Sequence, residues 1–180
     1  MNAIETKLKG CFIIEPRVFN DDRGYFFESY NKESFNSAVG TNVNFVQDNE
    51  SFSTKGVLRG LHFQKGDYAQ AKLVRVTQGK VLDVAVDIRP DSETFLQVET
   101  VVLSSENKKQ LFVPRGFAHG FIVLSDTVVF NYKCDNLYNK ASEAGIIYND
   151  SSLDIDWALD PSEFLVSEKD KVLPTVNDLF

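Results

Sequence analysis

Apolar and polar residues alternate with a period of two along much of this chain, the pattern of strands that bury one face. Val81–Ile88 is the clearest case. Leu82, Val84, Val86 and Ile88 make one apolar face, while Val81, Asp83, Ala85 and Asp87 make the other. Comparable strands are predicted over Leu73–Thr77, Val98–Leu103, Gln110–Val113, Gly120–Val123 and Val128–Lys133. Turn signals separate such segments at short intervals: Asp21-Asp22-Arg23-Gly24, Thr54-Lys55-Gly56, Lys65-Gly66-Asp67, Gln78-Gly79-Lys80, Arg89-Pro90-Asp91 and Pro114-Arg115-Gly116. Only short helical turns are predicted, within Asn31–Ser37 and Pro161–Glu163. Many short strands and few helices predict an all-β sandwich or barrel. No repeat, low-complexity tract or linker-like stretch interrupts the 180 residues, so one domain is expected over 1–180.

Composition narrows the class. Hydrophobic residues at 43% and charged residues at 25% are those of an ordinary globular chain. Fifteen Phe, six Tyr and one Trp suit wide sheet interiors or a subunit interface. The balance of 19 basic against 26 acidic residues argues against nucleic-acid binding, which needs a basic footprint. A local basic pocket for a small anion is compatible with it. No run approaches the roughly 20 apolar residues of a membrane helix, and Met1–Gly10 carries charges where a signal peptide would be apolar. Cys11 and Cys134, far apart and without a CxxC pairing, read as reduced, buried thiols. The expected setting is cytoplasmic, with no membrane partner.

Candidate chemistry concentrates in Leu58-Arg59-Gly60-Leu61-His62-Phe63-Gln64 and Gln70-Ala71-Lys72-Leu73-Val74-Arg75-Val76, which place a histidine between two cations in strand-like sequence. Histidine titrates near neutrality, and flanking cations can hold negative charge. A histidine in a strand can equally be a satisfied core residue. Strict alternation puts Arg59 and His62 on opposite faces, and Gly60 between them suggests a bulge that re-aims one of them. His119, in Val113-Pro114-Arg115-Gly116-Phe117-Ala118-His119-Gly120-Phe121, is flanked by glycines that suggest a tight turn or close backbone approach. Asp83 and Asp87 are natural partners for a neighbouring imidazole; the alternative is that they hold structural arginines. Two histidines and no His-x-His make a poor metal set. No Gly-x-Ser-x-Gly elbow, phosphate loop or dinucleotide fingerprint is present. What remains is cofactor-free acid–base chemistry, needing a base, an oxyanion stabiliser and a proton donor such as Tyr132.

The motifs also carry a resemblance. Asp22-Arg23-Gly24-Tyr25-Phe26-Phe27-Glu28, Gln47-Asp48-Asn49 with Ser51, Val57–Gln64, Gln70–Val74, Asp83–Arg89, Pro114–Phe121, Tyr132-Lys133 and Ser167-Glu168-Lys169-Asp170, in this order, resemble the dTDP-4-dehydrorhamnose 3,5-epimerase family of cupin-type sugar-nucleotide epimerases. The resemblance implies a cupin-type jelly-roll barrel (a double-stranded β-helix) with a few short helices. It implies epimerisation at C3 and C5 of dTDP-4-dehydro-6-deoxy-D-glucose without a cofactor or metal, on the way to dTDP-L-rhamnose. By the same resemblance, His62 is the base, Asp170 its dyad partner, Lys72 the enolate's counter-charge and Tyr132 the acid on the opposite ring face. His119, oriented by Asp83, and Arg59 line the sugar and diphosphate region. Arg23, Glu28, Gln47, Asp48 and Asn49 meet the nucleotide, with Glu143 and Lys169 closing around it. A homodimer is implied, in which Arg23 and Glu28 can reach the partner's site. The competing readings are a 3- or 5-epimerase acting at one carbon of a related dTDP-4-keto-deoxysugar, and a cupin that binds a nucleotide sugar without turning it over.

Overall fold

The computed structural model describes residues 1–180 and consists mostly of strands, here numbered in chain order. One six-stranded sheet runs in the spatial order β1 (Asn2–Glu5), β2 (Phe12–Glu15), β10 (Gln110–Val113), β7 (Lys72–Gln78), β12 (Thr127–Cys134) and β5 (Gln47–Thr54). The second has the order β13 (Glu143–Gly145), β6 (Val57–Gln64), β11 (Phe117–Val123), β8 (Lys80–Asp87) and β9 (Val98–Ser104), with β14 (Leu165–Val166) also on β6. β3 (Phe19–Asp21) and β4 (Gly24–Phe26) form a separate exposed ribbon. The two large sheets face each other as a cupin-type jelly roll. No helix is long and apolar enough to cross a membrane.

Three apolar clusters explain the alternation. Val74, Val76, Val81, Ala85, Phe121 and Phe130 fill the space between the sheets. Leu82, Val84, Val86 and Ile88 look the other way and are covered by Ile146, Leu153, Trp157 and Val176. Both faces of β8 are buried, one wholly apolar and the other carrying Asp83 and Asp87 beside Val81 and Ala85. On the outside of the first sheet, α1 (Lys32–Val39) lays Phe35 and Val39 on Ile14, Leu73 and Phe112. The Asn31 side chain caps that helix by accepting from Ser34 N at 3.1 Å. The helix runs two residues beyond the predicted Ser37, where a left-handed Gly40 ends it. Pro161–Glu163 is a single 3-10 turn, as the sequence suggests.

β11 departs most from its predicted span. It begins at Phe117 rather than Gly120, so His119 lies in mid-strand and not in a turn. β6 carries the bulge that Gly60 suggested. Phe121 faces Arg59 and His119 faces His62, so two steps on β11 span three on β6. Gly60 has φ 124°, and a Cβ there would sit 2.6 Å from the Gly120 Cα. Only glycine satisfies both demands. On the outer edge of β6, β14 pairs with Val57–Leu58 and β13 with His62–Gln64, leaving Gly60 between them.

Candidate active site

The bulge turns Arg59 and His62, three residues apart, toward one cavity between the sheets. This cavity, of about 190 Å³, is also lined by Lys72, His119, Phe130 and Tyr132. β6 supplies Arg59 and His62, β11 His119, β7 Lys72 and β12 Tyr132.

His62 is partly open to the cavity, with a side-chain exposure of 32%. Its Nε2 lies 2.7 Å from Asp170 Oδ1, and Asp170 Oδ2 accepts from the Gly60 N–H at 3.2 Å. Asp170 sits on a 3-10 turn, Asp170–Val172, far along the chain. Burial opposes its ionisation, but His62, the Gly60 N–H and Lys169 outweigh that and hold the carboxyl below its usual range. With Asp170 ionised, His62 Nε2–H donates to it and Nδ1 keeps the lone pair, the arrangement of a general base.

His119 pairs with Asp83, its Nε2 lying 2.9 and 3.1 Å from the two carboxylate oxygens. Both side chains are buried. Burial pushes the Asp83 carboxyl above its ordinary range against the pull of His119 and Lys72. Both sequence alternatives for the β8 aspartates occur, one at each residue. Asp83 holds the imidazole, while Asp87 holds Arg89 at 2.6 and 2.8 Å together with Ser92 and Thr94, each at 2.6 Å.

Lys72 takes part in none of the chain's ion pairs. Burial pushes its ammonium below the usual lysine range, with Cys134 and Asp83 opposing. Burial and Cys134 raise the Tyr132 phenol, against Arg59, so it is a protonated donor at neutral pH. Arg59 is steadied by the Ser53 hydroxyl, at 3.3 Å from Nε and 3.2 Å from Nη2. Cys11 and Cys134 are free and buried.

The remaining candidates divide by position. Asn49 lies on the inward face of β5 and donates to Cys134 Sγ at 3.8 Å, while Gln47 donates to Asn49 Oδ1 at 2.9 Å. Asp48 instead faces outward, where Lys133 Nζ lies 2.8 Å from both its oxygens. Beside it an outer groove of about 370 Å³ carries Glu50, Arg75, Asn131 and Lys133. Glu143 accepts from Lys169 and, at 2.9 Å, from the Tyr138 hydroxyl, tying β13 to the turn that carries Asp170. Arg23 and Glu28 stand outside the cavity. Arg23 pairs with Asp21 at 2.6 Å, and Glu28 accepts from Asn31 at 3.3 Å.

Sequence reasoning gave Ser53 no role, and it gave Cys134 none beyond a buried thiol. The available signal was the alternation in β5: Gln47, Asn49, Ser51 and Ser53 are small or neutral polar residues at every second place, as a strand lining a wet cavity requires.

A family model described as dTDP-4-dehydrorhamnose 3,5-epimerase matches residues 5–178. The chain is 54% identical over 179 residues to the Escherichia coli dTDP-4-dehydrorhamnose 3,5-epimerase, covering 99% of this chain and 96% of the relative. The crystal structure of dTDP-4-dehydrorhamnose 3,5-epimerase from Elizabethkingia anophelis superposes with a TM-score of 0.96 at 57% identity, covering 99% of this chain and 97% of that one. A Legionella pneumophila dTDP-6-deoxy-D-glucose-3,5-epimerase, solved in complex with dTDP-4-keto-L-rhamnose, gives 0.94 at 48% identity, covering 98% and 93%.

Proposed function

The chain belongs to the dTDP-4-dehydrorhamnose 3,5-epimerase family and is an isomerase of dTDP-L-rhamnose synthesis, and from that premise we propose how its cavity inverts two carbons of a dTDP-4-keto-6-deoxyhexose. The 4-keto group acidifies the C–H bonds at C3 and C5, so one base can serve both carbons in turn. His62 removes the proton and becomes an imidazolium paired with Asp170. The C–H electrons move to the carbonyl oxygen, and Lys72 holds the enolate that forms, where electrostatic stabilisation is most effective. The Tyr132 phenol then delivers a proton to the opposite face of the same carbon. The phenolate and imidazolium return to their starting states through solvent, and the cycle repeats at the second carbon.

The observation that carries this reading is the meeting of a histidine–carboxylate pair, an unpaired lysine and a protonated phenol in one cavity. Arg59 and His119, the latter oriented by Asp83, serve the sugar and diphosphate. Gln47 and Asn49 serve the nucleotide from the inward face of β5, with Glu143 and Lys169 closing over it, while Asp48, on the opposite face, holds Lys133. Arg23 and Glu28 reach a nucleotide only across a homodimer. The aromatic exposure of their ribbon supports that assembly: Phe19, Tyr25 and Phe26 are 50%, 58% and 68% exposed. Incubation with dTDP-4-dehydro-6-deoxy-D-glucose in deuterated water tests the proposal. Deuterium entering at both C3 and C5 is expected. Entry at one carbon alone replaces the double epimerisation with a single one, and entry at neither defeats the proposal. Tyr132→Phe slows inversion more than first exchange; equal loss of both contradicts the donor role.

A further inference from the structure

Lys72 opens β7 and Cys134 closes β12, and the two are Cα partners on the face of the first sheet that looks into the barrel. Directly paired residues on antiparallel strands hold their side chains within reach of each other. The Cys134 side chain is buried, with 1% exposure. Its sulfur receives the Asn49 amide at 3.8 Å, and Asn49 is held in turn by Gln47 at 2.9 Å. A thiol and two amides, all uncharged, therefore form the wall beside the lysine. Burial keeps the thiol protonated, pushing it up to about 11 against the pull of Lys72, with Asp135 and Asp48 adding to the rise.

From this arrangement we infer that Cys134 is a positioning residue for Lys72, giving its ammonium a neutral, weakly accepting neighbour that leaves the charge unpaired for the cavity. The inference rests on the reading of Lys72 as the counter-charge of the enolate. A carboxylate at position 134 would capture the ammonium, and a hydroxyl would accept from it more strongly than sulfur does. The other groups facing Lys72 do not capture it. Arg59 and His62 from β6, His119 from β11 and Tyr132 from β12 line the cavity with it. Asp83, from β8, has both its oxygens engaged by His119.

The test reads Lys72 directly. The intact protein is treated with acetic anhydride across a pH series, and acetylation of Lys72 is quantified by peptide mass spectrometry. Exchange at C3 and C5 is measured on the same samples before treatment. In Cys134→Asp the labelling midpoint rises by about one pH unit or more. Its kcat falls about 100-fold, as when an oxyanion donor is lost, with KM little changed. Cys134→Ser, nearly isosteric and expected to fold if the aspartate variant does not, moves both quantities in the same direction, with kcat down about fivefold. Cys134→Ala lowers the midpoint or leaves it in place. Midpoints that stay at the wild-type value in folded Asp or Ser variants overturn the inference, even where kcat falls. An alanine variant whose midpoint rises as far as that of aspartate overturns it too. A raised midpoint with unchanged kcat upholds the positioning role and defeats the enolate reading of Lys72 instead.

Discussion

His62 and His119 are Cα partners on neighbouring strands, and each has a carboxylate within hydrogen-bond distance. Their surroundings differ. His62 is 32% exposed at the cavity and draws its aspartate from a turn more than one hundred residues away, whereas His119 is 7% exposed and takes its aspartate from the adjoining strand. The two aspartates respond in opposite directions. Asp170, reached by a backbone N–H and by Lys169 as well as His62, is held below its ordinary range, while burial pushes Asp83 above it. In the mechanism proposed above, the same two side chains thus serve as a base in one place and as a wall of fixed geometry in the other. Solvent access and the count of neighbouring donors decide which, not residue type.

The sharpest way to break this contrast is to remove each imidazole. His62→Ala is expected to lower exchange at both carbons by about 10,000-fold, the upper range for a general base. His119→Asn is expected to act mainly through KM, and an equal loss of exchange would erase the distinction. Next come the carboxylates. Asp170→Asn should cost about 1,000-fold in kcat by disturbing the tautomer of the base. Asp83→Asn should cost about tenfold, as an outer partner of a positioned side chain does. Steady-state kinetics on both variants would show whether that order holds.

A smaller effect concerns the bulge that lets Arg59 and His62 share a cavity. Gly60→Ala forces a Cβ toward the Gly120 backbone at a positive φ and should cost about 3 kcal/mol of stability in urea unfolding. The smallest effect is in acid. Asp170, depressed in the folded state, contributes stability that is present above its unfolded pKa and lost as pH falls through its folded value. Asp83 has the opposite sign, because a raised folded pKa favours folding as pH falls through it. Stability measured from about pH 6 to about pH 3 should therefore fall more steeply in Asp83→Asn and less steeply in Asp170→Asn, and identical slopes would remove the electrostatic half of the comparison.

Much of the barrel was legible because its strands bury one face or two. β8 announced itself through one apolar face, Leu82, Val84, Val86 and Ile88, alternating with a mixed one; the structure buries both, with Val81 and Ala85 of the mixed face in the cluster between the sheets. β5 did not, because the face it turns inward lines a cavity and is therefore polar. β1 and β2 were too short and too charged at their ends to stand out. At the site, the bulge could be suspected from Gly60 alone. The facing of His62 and His119 could not, because strand pairing is decided by contacts distant in sequence. The pairing of Asp170 with His62 entered only through family resemblance; nothing local in Ser167–Asp170 distinguishes it from a surface turn.

Gly60 has a further consequence. Its N–H lies in the gap between β13 and β14 and is spent on Asp170 rather than on a neighbouring strand. The charge state of the carboxylate is thereby written onto a backbone amide. In a heteronuclear NMR spectrum the Gly60 cross-peak should move when Asp170 or His62 changes protonation, and its exchange with deuterated solvent should quicken when the turn carrying Asp170 lifts. The resting enzyme thus carries its own proton gauge, readable without substrate and without touching a side chain.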